Sequence, residues 1–378
     1  MDFSYSEEQE AIKELAAQIL DDLVSDDMLR DFDRGNREVA RKLWSALAEA
    51  NLLGVALPET VGGMGLGIIE LCQLLEQQGR TLAPVPLIPT LVMGALPIAE
   101  FGTQEQQQRL LAPVANGSQK LSSGFAEIGG PDPATPRTTA TQVDGGWRLE
   151  GEKVCVAYAD EAQRVLVPAS TGSGQVGVFL VDQQGSGVEI EAQTGTNHEP
   201  QFSLRLSGAV VAADDVLGDP HNGEPIIRWT QARGMVALAA TQVGVCADAL
   251  RRTAEYTGQR KQFGRPIGSF QGVALRAADG YIDIECMRST LVQALWQLSE
   301  GQSAREAVAV AKWWACRAGQ RVVHTAQHLH GGIGSDIDYP IHRYFLWAKR
   351  LELDLGGAQE LLSQLGGMLA ESGNEALA

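Results

Sequence analysis

RKQFGRPIGSFQ, residues 260–271, decides how the rest of the chain is read. The run before it, roughly 225–257, carries helical periodicity. The stretch therefore begins where a long helix ends in basic residues. It passes through Phe263-Gly264 and a turn at Pro266, then enters a new helix near Gln271. An arginine held at such a helix end, beside glycines that expose backbone, can grip a phosphate through charge-assisted hydrogen bonds. The plainer alternative is a solvated Arg260 that complements the helix dipole. Spacing leaves both open. HLHGGIGSDIDYP, residues 328–340, poses the same choice. Gly331-Gly332 after a long helix either lets backbone approach a ligand closely or caps the helix.

Three textures surround these stretches. Residues 1–118 read as helices: EQEAIKELAAQILDDL and REVARKLWSALAEANLLG space apolar residues at i, i+3, i+4 and i+7. Residues 119–222 alternate apolar and polar in short segments such as WRLEGEKVCVAYA and FSLRLSGAVV, which predicts a small antiparallel barrel or sandwich. Residues 223–378 are helical again. Helices are expected near 225–257, 272–300 and 303–328, with two shorter ones after the HGGIG break, as in a bundle.

Composition removes several functions. A net charge of -17 disfavours nucleic acid and anionic membrane surfaces as partners. No run of about 18 apolar residues offers a membrane span. The acidic, amphipathic start lacks the features of a signal peptide, so a cytoplasmic protein is expected. The five cysteines are scattered, without a CxxC pair. His324, His328 and His330 lie close together, but no third ligand stands at metal spacing, so no metal is expected. The glycines of GGMGLG, 62–67, follow a helix rather than a strand and read as a loop, not a dinucleotide fingerprint.

Taken together, the N-terminal DFSYSEEQEAI, the PETVGGMG loop, the β zone, the pattern Arg260-x-x-Phe263-Gly264-x-x-Ile267-x-x-x-Gln271, HGGIG and a following Tyr-Pro resemble the acyl-CoA dehydrogenase family over nearly the whole chain. The resemblance implies a mostly α fold: an N-terminal helical domain (1–118), a middle β-barrel domain (119–222) and a C-terminal four-helix bundle (223–378). It implies FAD and an acyl-CoA thioester. In that family a carboxylate removes the α-proton and the β-hydrogen passes to the flavin as hydride. It also implies FAD at a dimer interface, its ring held by one subunit and its adenine-diphosphate end by the neighbour. Arg260, Phe263, Gln271, Gly331 and Gly332 match that second set. His328 stands where glutamine is usual, and Gln327 is shifted by one.

The other half departs from the family. Counting from Ala348-Lys349, the base position holds Leu355; the alternative position, on the first long C-terminal helix, holds Gly234. The middle domain has AEIGGPD (126–132), with Ala126 in place of threonine. It also has Lys153-Val-Cys155-Val-Ala157, where the family aims an aromatic ring and a hydroxyl at the flavin. What the resemblance then implies is the glutamate-lacking subunit of a heteromeric α2β2 enzyme. It is similar to those of bacterial steroid and cholesterol side-chain degradation, with a glutamate-bearing paralogue as partner and an electron-transfer flavoprotein as acceptor. Two alternatives stay open. One is a self-sufficient homo-oligomer with a displaced base, Asp354 or Glu352. The other is a non-catalytic scaffold subunit.

Overall fold

The computed structural model describes residues 5–130 and 132–371. The first residues of DFSYSEEQEAI, and Pro131 of AEIGGPD, lie outside these. The elements in chain order are α1 Glu7–Leu23, α2 Asp26–Asp33, α3 Glu38–Glu49, α4 Ile68–Thr81, a π-helical segment Ile88–Ala95 running into α5 Leu96–Phe101, and α6 Gln104–Ala115. Eight strands follow: β1 Lys120–Ser123, β2 Thr139–Val143, β3 Gly146–Ala157, β4 Ala162–Gly172, β5 Gln175–Val181, β6 Val188–Thr194, β7 Pro200–Ala212 and β8 Val216–Leu217. The last part holds α7 Glu224–Gln259, a small hairpin of β9 Lys261–Gln262 and β10 Arg265–Pro266, α8 Gln271–Ser299, α9 Arg305–His330, α10 Ile341–Leu353 and α11 Ala358–Glu371.

The described residues fold as two compact units: those within 5–40, 68–84 and 235–371 form one, those within 41–67 and 85–234 the other. In the first, α1 begins with a capping box. Ser6 Oγ accepts from the Gln9 amide and the Gln9 side chain accepts from the Ser6 amide, so two otherwise unpaired donors are met. Small residues set how closely its helices cross. A Cβ on Gly79 of α4 would stand 2.0 Å from the Thr241 carbonyl oxygen, and one on Gly244 of α7 would stand 1.9 Å from that of Glu76. A Cβ on Gly319 of α9 would strike the Gln242 side chain at 2.4 Å. The long helices thus pack backbone to backbone, with buried alanines such as Ala240, Ala249, Ala315 and Ala318 between larger side chains.

The second unit contains the sheet, with strand order β6-β7-β3-β2-β4-β5-β8. Antiparallel pairing dominates, but β1 and the end of β2 run parallel to β4, so the purely antiparallel expectation needs correction. Parallel neighbours require a crossover, and here the chain returns through long connections rather than tight hairpins. One face buries Trp147, Leu149, Val165, Val167, Phe179 and Leu204. Each such aliphatic side chain removed from water contributes about 1.5–3 kcal/mol.

Candidate functional site

Arg260 ends the last turn of α7, its amide donating to the Tyr256 carbonyl at 2.8 Å. The β9–β10 hairpin then reverses through Phe263 (φ 53°) and Gly264 (φ 80°). A two-residue type I′ loop needs positive φ at both positions, which normally selects Asn-Gly. Phenylalanine takes the strained place instead and leaves its ring 94% exposed. Arg265 stacks on Phe270 at 4.1 Å, and the Ile267 amide donates to the Arg260 carbonyl, so the hairpin returns onto the helix end. Gln271, exposed, is the first residue of α8.

The end of α9 meets this hairpin region. Tyr256 of α7 stacks on His330 with ring centroids 4.4 Å apart, and Arg276 of α8 contacts His328 Nδ1 at 3.4 Å. Gly331 follows with φ 66°, a conformation that costs glycine little, and open space surrounds the Cβ position of both Gly331 and Gly332. Gln327 donates to the Gly334 carbonyl at 3.0 Å. It closes its own turn, which accounts for a histidine rather than this glutamine facing outward. His324 packs edge-on against Phe345, and among the described residues no cluster suited to a metal ion occurs.

In chemical terms this surface is a donor set. It comprises an exposed guanidinium without a carboxylate partner among the described residues (Arg260), a second cation (Arg276), an amide (Gln271), an imidazole (His328), a bare aromatic ring (Phe263) and glycine backbone. Such a set fits a diphosphate with an attached ring system, as FAD presents. In a chain of net charge -17, a local excess of cations stands out.

The loop that follows α10 is built differently. Asp354 is the helix C-cap, and Leu355 adopts φ 55° before Gly356 at 102°. From α9, buried Lys312 inserts Nζ beneath the loop, donating to the Leu351 carbonyl at 2.7 Å and the Glu352 carbonyl at 3.2 Å. Asp354 is bound by Arg350 one turn earlier, and burial pushes its carboxyl up against the pull of Arg350 and Lys312. Glu352 pairs with Lys349 at 2.8 Å. Leu355 is half-buried and apolar, so this loop presents no unpaired carboxylate among the described residues. Gly234 is a buried residue within α7.

The middle-domain positions lie around β3. Lys153, fully buried, donates to Glu127 at 2.5 Å, and Thr138 and the Arg137 amide bind the same carboxylate. Burial pulls Lys153 down to about 8, although Glu127 opposes this. Cys155 sits in a bulge of β3 with φ 55°, exposed, its amide donating to Gln193 Oε1 at 2.9 Å. The Ala157 carbonyl accepts from Ser122. Neither Cys155 nor Ala157 supplies the ring or the hydroxyl the family uses. Sequence reasoning missed the Glu127–Lys153 pair, the stacking of His330 on Tyr256, and Lys312. A lysine in the apolar run AVAVAKWWAC was the available signal for the last.

A model of the acyl-CoA dehydrogenase N-terminal domain matches residues 6–118, and one of the acyl-CoA dehydrogenase C-terminal domain matches residues 221–367. The chain is 38% identical to the acyl-CoA dehydrogenase FadE27 of Mycobacterium tuberculosis, over 98% of this chain and 100% of the relative. Among solved structures it resembles a variant of the Tcur3481-Tcur3483 steroid ACAD, with 46% identity, a TM-score of 0.91, and 97% and 98% of the two chains covered. It also resembles the ChsE4-ChsE5 complex from Mycobacterium tuberculosis, with 39% identity, a TM-score of 0.92, and 98% and 99% covered. FAD is the cofactor of this family, and an FAD complex of PigA shares the fold at 23% identity. No helix among the described residues is long and apolar enough to cross a membrane. With helical N- and C-terminal parts around a mostly β middle, and with both domain models matched, the chain belongs to the acyl-CoA dehydrogenase family.

Proposed function

We propose that this chain is the base-lacking subunit of a heteromeric acyl-CoA dehydrogenase that completes the FAD site of a glutamate-bearing paralogue. The observation that carries the reading is the state of the base loop. Leu355 stands where the family resemblance expects the base, while Asp354 and Glu352 are each bound to a cation of their own helix. Abstracting the weakly acidic α-proton needs a well-placed, available carboxylate. On this reading, Arg260, Phe263, Gln271, His328, Gly331 and Gly332 hold the adenine-diphosphate end of the partner's FAD. Bound FAD supplies the hydride acceptor; the partner supplies the base and the ring pocket. The segments serving these roles are 1–118, 119–222 and 223–378, the last carrying the diphosphate clamp and the oligomer surface. Bulky steroid side-chain thioesters are the proposed substrates, because one structural neighbour is named as a steroid ACAD, and the two-component names of that neighbour and of the ChsE4-ChsE5 complex support the heteromeric assembly. An electron-transfer flavoprotein is the proposed acceptor, and the cytoplasm the proposed compartment.

Native mass and FAD content test this, measured on the chain alone and co-expressed with a glutamate-bearing paralogue. A tetramer with one FAD per heterodimer is expected, and Arg260→Ala should empty it. A homotetramer with one FAD per chain, whose acyl-CoA turnover Asp354→Asn abolishes, would replace this reading with the self-sufficient enzyme. A complex whose FAD content ignores Arg260→Ala would leave only the scaffold role.

A further inference from the structure

We propose that His330 is a positioning residue: its neutral imidazole, stacked on Tyr256, locks the α9 terminus carrying Gly331 and Gly332 against the α7 terminus carrying Arg260. This rests on the reading of those residues as the diphosphate clamp and adds to it a pH-dependent latch.

The geometry is specific. His330 is 3% exposed. Its ring lies nearly parallel to Tyr256, 21° between planes at 4.4 Å, and Tyr339 tilts against both. Its Nδ1 lies 2.7 Å from the Ala326 carbonyl, which can only accept, so Nδ1 bears the proton. Nε2 is therefore an unprotonated acceptor, buried and without a hydrogen-bond partner among the described residues. The Tyr256 hydroxyl also reaches the His330 carbonyl at 3.4 Å. One residue after His330 the chain takes the φ 66° of Gly331, and one turn after Tyr256 it reaches Arg260. Two parts of the clamp, anchored by rings 74 residues apart in sequence, therefore take their relative position from one aromatic pair.

Protonation would place a new N–H donor where no acceptor stands, at the full cost of a buried unsatisfied charge. The groups facing the ring are Tyr256 from α7 and Tyr339 from the segment before α10. Beyond Tyr339, Arg252 and Asp26 are already paired at 3.1 Å. Burial lowers the His330 pKa from the ordinary 6.5, opposed by the hydrogen bond to the Ala326 carbonyl. The neutral ring is thus the native form at neutral pH. The stabilisation it gives is fully present above 6.5 and is lost as pH falls through the lowered value.

The test uses the complex with the glutamate-bearing partner. FAD retained after gel filtration is measured from about pH 8 to about pH 5, together with hydrogen exchange in peptides spanning 256–271 and 326–336. Wild type should release FAD toward the acid end. His330→Phe keeps an aromatic ring and cannot titrate, so it should retain FAD across the range. His330→Ala should weaken FAD binding about threefold to tenfold at neutral pH, the worth of an aromatic pair, should approach the wild type toward the acid end, and should speed exchange in both peptides. His330→Phe releasing FAD with the wild-type pH profile would overturn the proposal, as would His330→Ala leaving FAD and exchange unchanged. Arg260→Ala separates the two levels. If it empties the site while both His330 variants behave as wild type, the latch fails and the clamp stands. If it has no effect, the clamp reading itself fails.

Discussion

Lys153 Nζ and Glu127 Oε1 lie 2.5 Å apart, with the lysine side chain fully shielded from water and the carboxylate 5% exposed. The pair ties the segment after β1 to the middle of β3. Removing one partner leaves an uncompensated buried charge, so Lys153→Met should cost about 3–5 kcal/mol in chemical unfolding. Burial alone would raise the Glu127 pKa. Hydrogen bonds from Lys153, Thr138 and the Arg137 amide outweigh that and hold it at about 2, against an ordinary 4.5. Because the folded value is depressed, its stabilisation is fully present above 4.5 and is lost as pH falls from 4.5 toward 2. Unfolding free energy measured against pH should show a loss of about 3 kcal/mol in that window. Glu127→Gln should flatten it.

At the α4–α7 crossing, any side chain at Gly79 or Gly244 meets backbone at 2.0 or 1.9 Å. Backbone in two packed helices cannot yield as a flexible side chain can. Gly79→Ala and Gly244→Ala should each destabilise by about 3 kcal/mol, despite the better helix propensity of alanine. Thermal unfolding of the two variants checks this; a rise in Tm would contradict the crossing geometry.

Phe263 combines a left-handed backbone with an almost fully exposed ring. Neither feature benefits the chain by itself. Phe263→Asn suits the turn and gives up little burial, so the chain alone should gain about 0.5–1 kcal/mol. If Phe263 holds FAD as proposed, the same variant should lower the FAD content of the chain co-expressed with a glutamate-bearing paralogue. Opposite signs in the two measurements are the signature of a residue kept for binding.

Lys312 is 1% exposed, and its ammonium satisfies carbonyls at the end of α10. Lys312→Met fills the volume but leaves those carbonyls short of a donor. A loss of about 1–3 kcal/mol is expected, with faster amide exchange over residues 352–357. Exchange confined to the far end of α9 would show that the lysine does not hold this loop.

Much of this was legible in the residues. The long helices fall where the periodicity placed them: α7 at Glu224–Gln259 against an expected 225–257, and α9 at Arg305–His330 against 303–328. The order of Arg260, Phe263 and Gln271 points to the family by itself. The parallel pairing of β1 with β4 was not legible, because alternation reports which face of a strand is buried and is silent about its neighbour.

By itself, the sequence determined the helix and strand content, the family and the absence of a carboxylate at Leu355 and Gly234, since these depend on residue type and local spacing. The tertiary structure decided the rest. It brought Glu127 to Lys153, Lys312 to the end of α10 and Tyr256 to His330. It also put Cys155, Phe263 and Leu355 into left-handed backbone that their own side chains disfavour. The physical reason is the same in each case. Local propensities are satisfied within a turn or two of chain, whereas burying a charge, orienting a ring or holding a strained φ requires partners that only folding brings within reach.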